Sequence, residues 1–242
     1  MRDTRGILPL AAEGLVFEAG GRRVVDGIDL TIRQGERVAF VGPNGAGKTL
    51  TLRMLHGLSA PSAGSVRWAV PKGETAGRRR HAMVFQNPVM LRRSARANVV
   101  HALSAAGFPG SECADRADAV LGRYGLASLA GRPARVLSGG EQQRLAIARA
   151  AALEPEAMFL DEPSSALDPG ATRQIEEMLA DLHAGGVTLV FATHDLGQAR
   201  RLAGRIAVFN RGRIVEDGPA DRVLDAPCHP AARAFVAGEL LW

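Results

Sequence analysis

The chain has 242 residues, with 30 basic and 25 acidic side chains and a formal net charge of +5. Hydrophobic residues make up 46% and charged residues 23% of the sequence, values that exclude wholesale disorder. Apolar runs such as Val187–Ala192 are far shorter than the ~20 residues of a membrane-spanning helix. The opening MRDTRGILPL lacks the apolar core of an export signal. We therefore expect a soluble, cytoplasmic chain.

The positive charge does not predict a nucleic-acid partner. The basic residues include only two lysines, one of them Lys48, so the excess of arginine indicates a compositional bias. The arginine runs 78–80 and 92–93 are short, and aromatic residues, at 5% of the chain, are not interleaved with them. Cys113 and Cys228 lack the spacing of a metal site or a disulfide framework. We expect no nucleic-acid partner.

The first part of the chain predicts paired strands and then a helix. An apolar run at Leu15–Phe17, a turn at Gly20-Gly21 and the alternating segment Ile28–Arg33 predict two strands. The short apolar run Glu36–Val41 ends in glycines, which indicates a buried strand leading into a loop. Beyond that loop, Thr49–Leu58 carries leucines at helical spacing. The sequence therefore predicts strand, loop and helix in succession.

The loop between this strand and this helix fits the pattern G-x-x-x-x-G-K-[ST]. Its glycines let successive backbone N–H groups turn inward around a phosphate, and the N-terminal dipole of the helix points to the same place. In this pattern Lys48 binds the β- and γ-phosphates and the hydroxyl of Thr49 binds Mg²⁺. We predict an ATP and Mg²⁺ site at Gly42, Pro43, Asn44, Gly45, Ala46, Gly47, Lys48 and Thr49.

Residues 87–156 are rich in alanine and arginine and have helical spacing without a clear strand. We expect a helical subdomain there, inserted between residues 1–86 and 157–242 of a single α/β domain. Before it, the apolar run Ala82–Phe85 predicts a strand that ends at Gln86.

A capping box lies inside the helical segment. Ser138 and Glu141 fit the pattern S-x-x-E, which predicts that a helix begins there. Gly139 and Gly140 leave backbone N–H groups of the first turn uncovered, so this helix N-terminus can hold a second anion. An ordinary capped helix is the alternative interpretation of the four residues alone.

Two further apolar runs, Ala157–Leu160 and Val187–Ala192, flank a predicted amphipathic helix at Thr172–His183, which is the βαβ pattern of a parallel sheet. The first run ends in Asp161 and Glu162, at the strand end where such sheets bind ligands. We predict that Asp161 holds Mg²⁺ and that Glu162 acts as a general base on water. A closing hairpin is predicted around residues 210–212.

The segment Leu137–Ala150, LSGGEQQRLAIARA, resembles the signature sequence of ATP-binding cassette (ABC) ATPases. Gln86 resembles the Q-loop glutamine of this family, Ser165–Asp168 its D-loop, and His194 its switch histidine. Together with the loop ending at Lys48, these features follow the order of the family along nearly the whole chain. The chain is therefore identified as similar to the nucleotide-binding subunit of an ABC transporter.

This resemblance implies a P-loop NTPase core with a mainly parallel sheet, an N-terminal antiparallel subdomain and an inserted helical subdomain. It implies a head-to-tail dimer with a second ATPase chain, expected to be identical, in which Ser138–Glu141 of one chain close over ATP bound by the other. Glu162 would be the base, His194 would contact the γ-phosphate, and Gln86 would contact Mg²⁺ or water. Further implied partners are a transmembrane permease at the cytoplasmic face of the membrane and, indirectly, a substrate-binding protein.

The sequence departs from the family pattern at one position. The family usually has an aromatic residue, which stacks on adenine, where this chain has Ala19. Phe17 would point to the same side of the strand and could replace it, although an ordinary core position explains Phe17 equally well.

The segment Gln86–Ser94 is similar to the Q-loop regions of tungstate- and phosphate-type importers. Val89–Leu91 are therefore expected either to form a docking patch for the permease or to pack inside the helical segment. We expect an importer of an oxyanion such as tungstate, with importers of amino acids or other small solutes as the alternative. Exporters and ABC ATPases acting on DNA or ribosomes are less favoured, because the chain lacks the coiled-coil insertion or second cassette of the latter.

Overall fold

The structure of the protein, a computed structural model, describes residues 6–69 and 80–239, so Arg78 and Arg79 of the first arginine run lie outside the described residues. The strands in these ranges are β1 (Leu10–Ala19), β2 (Arg22–Ile32), β3 (Arg37–Val41), β4 (Ala63–Trp68), β5 (His81–Val84), β6 (Ala157–Asp161), β7 (Thr188–Ala192), β8 (Arg205–Asn210) and β9 (Arg213–Pro219). The α-helices are α1 (Lys48–His56), α2 (Ala95–Ala105), α3 (Gly110–Arg123), α4 (Gly139–Ala151), α5 (Pro169–Ala184), α6 (Leu196–Leu202), α7 (Ala220–Asp225) and α8 (Pro230–Val236).

The strands form two sheets. The first is antiparallel, with the order β2-β1-β4. The second has the order β5-β6-β7-β3-β8-β9 and is parallel except for the final β8–β9 hairpin. The expected α/β fold, with a mainly parallel sheet and a separate antiparallel sheet, is confirmed.

The parallel pairing decides where the site lies. Strands β6, β7 and β3 are neighbours, and β3 and β6 flank β7, with Phe40 and Asp161 both paired with Ala192. The loops that leave these strands therefore start at one edge of the sheet, the edge at which open α/β sheets bind ligands. All five residues of β6 and of β7 are buried, which explains why both strands contain a continuous apolar run.

Helices α2, α3 and α4 occupy residues 95–151 and pack against one another. Their buried side chains belong to the same apolar cluster as one side of β6, and they include Val99, Leu103, Ala117, Leu121 and Leu145. No helix of the described residues is both long and apolar enough to span a membrane.

Two local expectations were wrong or incomplete. Helix α1 ends at His56 rather than at Leu58, because Gly57 takes a left-handed conformation (φ 86°) that caps the helix. Leu58 is 53% exposed instead of packing in the core. No pattern in the sequence predicted strand β4.

The C-terminal end of α1 carries a histidine in an aromatic cluster. The ring of His56 packs edge-on against His81, at 4.6 Å between centroids, and against Phe159, at 5.8 Å. Burial, together with the neighbouring His81, lowers the pKa of His56 from 6.5 to about 4. Between these two values the folded chain binds fewer protons at this residue than the unfolded chain, so folding stability is lost as the pH falls.

We expect His56→Phe to weaken the pH dependence of stability below about pH 6.5, because phenylalanine fills the site without a titratable group. Between about pH 7 and pH 4, the free energy of unfolding of the wild-type chain should fall by roughly 1–2 kcal/mol more than that of the variant. The difference is smaller than the full pKa shift implies, because His56 is partly exposed to solvent. Urea unfolding at each pH measures this. The exposed His101 of α2, changed to phenylalanine, is the control. Equal pH slopes for wild type and His56→Phe would contradict the assignment.

Candidate functional site

The loop from Gly42 to Thr49 follows β3 directly and leads into α1, as predicted. Gly42 has a φ of 139°, and a Cβ atom there would collide with the backbone carbonyl of Phe209. Gly47 has a φ of 101°, and a Cβ atom there would lie 3.0 Å from the carbonyl oxygen of Val24. Both positions therefore require glycine, and the loop is held closely between β8 and β2.

Lys48 is 6% exposed at the start of α1. Its Nζ donates hydrogen bonds to the carbonyl oxygens of Gly42 (2.7 Å) and Pro43 (2.9 Å), which places the ammonium group over the loop. Burial lowers the pKa of Lys48, while the nearby charges of Glu162 and Asp161 oppose this. Gly42 and Pro43 thus act on the lysine through their carbonyl groups.

Asp161 and Glu162 follow one another at the end of β6 but have different surroundings. Asp161 is 4% exposed, and its Oδ1 accepts a hydrogen bond of 2.7 Å from the hydroxyl of Thr49. Glu162 has a left-handed φ of 47°, and its N–H donates to the carbonyl of Ala192 at 3.0 Å. A left-handed conformation is strained for a non-glycine residue. The two carboxylates have different partners, Thr49 for Asp161 and His194 for Glu162.

The side chain of Glu162 meets His194, which follows β7. Its Oε2 lies 2.8 Å from Nδ1 of His194. The carboxylate side chain is 12% exposed and the imidazole 58% exposed, so the pair faces solvent mainly through the histidine. Such a pair can hold a water molecule and accept its proton.

One cavity of about 410 Å³ brings most of the predicted residues together. Gln86, which follows β5, reaches it, and its Nε2 lies 3.4 Å from the hydroxyl oxygen of Ser165. The cavity is lined by Val24, Asn44, Gly45, Ala46, Gly47, Lys48, Thr49, Leu50, Gln86, Glu162, Ser165 and His194. Glu162 and His194, the predicted base and the predicted γ-phosphate contact, therefore share a cavity with the loop.

The donors beside Thr49 fit Mg²⁺. The hydroxyl of Thr49 and the carboxylate of Asp161 are in contact, and the amide of Gln86 supplies another oxygen near the cavity. Mg²⁺ prefers oxygen ligands and is usually held by one or two protein groups together with substrate phosphates. In residues 6–69 and 80–239 no cluster of three histidine, cysteine, aspartate or glutamate side chains offers a competing metal site.

The capping box forms as predicted, with Ser138 as the N-cap of α4. Oε2 of Glu141 accepts hydrogen bonds from the N–H (2.7 Å) and hydroxyl (2.9 Å) of Ser138, which lower the pKa of Glu141. A Cβ atom on Gly140 would lie 2.8 Å from that of Ala171, so α4 and α5 approach closely here. Ser138, Gly139, Gly140 and Glu141 line a depression of about 530 Å³ that shares no lining residue with the cavity at Lys48.

Sequence reasoning missed a buried amide that connects two loops of the site. Gln198 of α6 is 1% exposed, and its Nε2 donates a hydrogen bond of 2.6 Å to the hydroxyl of Ser164. Its N–H donates to Asp195, the N-cap of α6. The D-x-x-Q spacing after His194 was the available signal, because it predicts a helix that begins at Asp195.

The burial of two apolar segments bears on the roles expected for them. Phe17 is half-buried and packs against the apolar core beneath the antiparallel sheet, which favours the ordinary core position. Of the three residues expected to share a docking or packing role, Val89 is 71% exposed and Met90 is 4% exposed. Met90 therefore takes the packing role, among the buried residues of the helical segment, whereas the exposed Val89 stays a candidate for the docking role.

The model of the ABC transporter family matches residues 25–165. The chain is 38% identical to phosphate import ATP-binding protein PstB 2 of Natronomonas pharaonis, over 99% of this chain and 90% of that protein. It is also 38% identical to methionine import ATP-binding protein MetN of Caulobacter vibrioides, over 91% of this chain and 69% of that protein. A solved structure with a similar fold is that of cbiO1 from Clostridium perfringens, part of the ABC transporter complex cbiONQ. Its TM-score is 0.80 at 28% sequence identity, and the match covers 91% of this chain and 92% of that chain. The chain therefore belongs to the ABC transporter family, as an ATP-binding subunit that hydrolyses ATP.

Proposed function

We propose that the protein is the energy-coupling subunit of an ABC importer and hydrolyses ATP in the cavity beside Lys48. The observation that carries this proposal is the presence of Lys48, Thr49, Gln86, Glu162 and His194 in one cavity, although they come from separate parts of the chain. Phosphoryl transfer needs a phosphate cradle, an Mg²⁺ site and a group that orients the nucleophile, and these residues have the chemistry for all three.

In the proposed reaction Glu162 orients the attacking water and takes its proton. His194 lies against this carboxylate and reaches solvent, which supports the proposal that its imidazole contacts the γ-phosphate. Removal of one of these proton-handling groups should therefore affect turnover more than binding.

The phosphates are bound by the loop and by Lys48, whose ammonium exchanges the carbonyl groups of Gly42 and Pro43 for phosphate oxygens. Thr49 and Asp161 would hold Mg²⁺, with Gln86 contacting the ion or the water. When bound, Mg²⁺ neutralises charge on the β- and γ-phosphates.

We propose that two copies of the chain pair head to tail. In a single chain the depression at Ser138–Glu141 and the cavity at Lys48 are separate, so one chain cannot close both around the same nucleotide. In the proposed pair, Ser138–Glu141 of each copy present the N-terminus of α4 to ATP held by the other. A helix N-terminus with free N–H groups favours the negative triphosphate.

The proposed permease contact is a groove of about 260 Å³ between β5 and α4. It is lined by Phe85 and Pro88, and Arg149 contributes a cation whose Nη1 donates to the carbonyl of the exposed Val89 at 3.0 Å. In the described part of the chain no carboxylate forms an ion pair with Arg149. We propose that a permease segment with apolar residues and a carboxylate docks there. The chain would then lie at the cytoplasmic face of the membrane, and a substrate-binding protein would act through the permease.

For the solute, we propose an oxyanion such as tungstate, supported by the segment Gln86–Ser94 and by the similarity to a phosphate import protein. An amino-acid importer is the second candidate, because a methionine import protein is equally identical to this chain. These relatives carry different solutes, so the solute-specific contacts are expected in other subunits. An exporter or a non-transport ABC ATPase is a less favoured alternative.

The test uses the chain together with the proposed permease and substrate-binding protein, reconstituted in liposomes. We expect ATP hydrolysis to rise when the binding protein is loaded with tungstate. Stimulation by methionine instead would favour the amino-acid alternative. Stimulation by nucleic acid without any permease would contradict the importer.

A matched pair of variants tests the docking groove. Val89→Asp should reduce recovery of the chain with the permease about tenfold, because it places a charge at the edge of the apolar contact. Ala119→Asp, at an exposed position of α3 outside the groove, is the control. Both isolated variants should retain ATP binding. Equal recovery of the two variants would place the permease elsewhere.

A further inference from the structure

We propose that Arg22 supplies the platform on which the nucleotide base stacks, in place of the aromatic residue that this chain lacks at Ala19. The inference rests on the proposed function, since it assigns a base contact to the same ATP site. It concerns the β1–β2 hairpin, which no motif of the phosphate loop includes.

The direction in which the nucleoside leaves the loop follows from the cavity lining. Glu162, His194 and Gln86 line the hydrolytic end, so the γ-phosphate lies there. Val24 is the lining residue contributed by β2, and its carbonyl lies within 3.0 Å of where a Cβ atom of Gly47 would be. Strand β2 therefore borders the phosphate loop directly, and the nucleoside extends towards it.

The register of the hairpin places Arg22 on the side of Ala19. Ala19 pairs directly with Arg22, and Glu18 pairs directly with Arg23. Arg23 forms ion pairs with Glu18 (3.1 Å) and Asp26 (3.0 Å), which lie together on one face. Because neighbouring residues of a strand point to opposite faces, Ala19 and Arg22 share the other face.

This second face is the one turned towards the body of the protein and the cavity. Phe17, two residues before Ala19, points to it and packs against the core. Val24, two residues after Arg22, is the extra residue where the pairing shifts between Phe17 and Glu18. Bulges of this kind commonly redirect a side chain next to a binding site, and here Val24 reaches the cavity.

The charge pattern leaves Arg22 available for a ligand. Arg23 and Arg213 are paired with carboxylates, both through Asp26. Arg22 is exposed, and across residues 6–69 and 80–239 it has no ion pair or side-chain hydrogen bond. Ala19, directly opposite, is too small to cover it. The planar guanidinium can therefore lie flat against a base, a contact that arginine makes readily and that does not read the edge of the base.

The test compares ATP with inorganic tripolyphosphate, which carries the phosphates without a base, by calorimetric titration. Arg22→Ala should weaken ATP binding about three- to tenfold and leave tripolyphosphate binding unchanged. The double variant Arg22→Ala/Ala19→Tyr should regain ATP affinity, because it restores an aromatic platform at the paired position. Arg33→Ala, which removes an exposed arginine beyond the other end of β2, controls for net charge and should bind both ligands normally.

Equal weakening of ATP and tripolyphosphate by Arg22→Ala would overturn the proposal, because Arg22 would then act on the phosphates. Unchanged ATP binding by Arg22→Ala would also overturn it. Retained tripolyphosphate binding also shows that the variant is folded. A wild-type chain that binds neither ligand would instead contradict the proposed ATP site itself, so the two failures are distinguishable.

Discussion

Glu162→Gln is expected to lower ATP turnover about 10²- to 10⁴-fold while ATP still binds, because an amide cannot take a proton from the attacking water. The glutamine oxygen can still accept a hydrogen bond from His194, whose Nδ1 lies 2.8 Å from the present carboxylate. Lys48 and the loop remain intact, so the phosphates keep their binding groups. The variant should therefore accumulate as an ATP-bound pair of chains with little phosphate release.

Phosphate release and the mass of the nucleotide-bound species measure this outcome. Glu177→Gln, on the exposed face of α5 where Glu177 pairs with Arg173, is the matched control and should leave turnover unchanged. Asp161→Asn distinguishes the roles of the two carboxylates, because it should weaken the binding of Mg²⁺ together with ATP, whereas Glu162→Gln should not. Near-normal phosphate release by Glu162→Gln would show that another group activates the water.

The parts of the fold that could be predicted from the sequence are those with a strong local pattern. Strands β3, β6 and β7 are buried on both faces of the parallel sheet, so each contains a continuous apolar run. Strand β4 has no such run, because its six residues are all half-buried or exposed. It is held by pairing with β1, far away in the sequence, and a pairing of that kind leaves no local pattern.

The same distinction applies to the site. The residues of the loop ending at Lys48 are contiguous, and their glycines have the left-handed conformations that the motif requires. The contact of Gln198 with Ser164 depends on how α6 packs beside the loop after β6, so the residue types alone do not indicate it. The pairing of Arg22 with Ala19 depends likewise on the hairpin register. Sequence motifs therefore predict the residues of the phosphate loop better than the proposed base platform.

The proposed head-to-tail pair predicts that substitutions at two separate places in the chain each abolish ATP hydrolysis. Lys48→Ala should abolish ATP hydrolysis, because it removes the buried cation that is placed over the phosphate loop. Ser138→Arg should also abolish it, because a long side chain would fill the first turn of α4, where the partner's nucleotide is expected. Neither variant alone should turn over ATP, although Ser138→Arg should still bind it.

Mixing the two inactive variants distinguishes sites shared between chains from sites within one chain. In a mixed head-to-tail pair, one site combines both substitutions, and the other combines an intact loop with an intact α4 N-terminus. If the sites act independently, random pairing should restore about a quarter of the wild-type rate, because half of the pairs are mixed and each has one intact site. Mixing either variant with Lys48→Ala/Ser138→Arg chains is the control and should restore nothing, since no intact site can form. If Lys48→Ala and Ser138→Arg chains pair normally but the mixture remains inactive, the sites are not independent sites shared between chains. If Ser138→Arg alone is fully active, the N-terminus of α4 is not part of the ATP site.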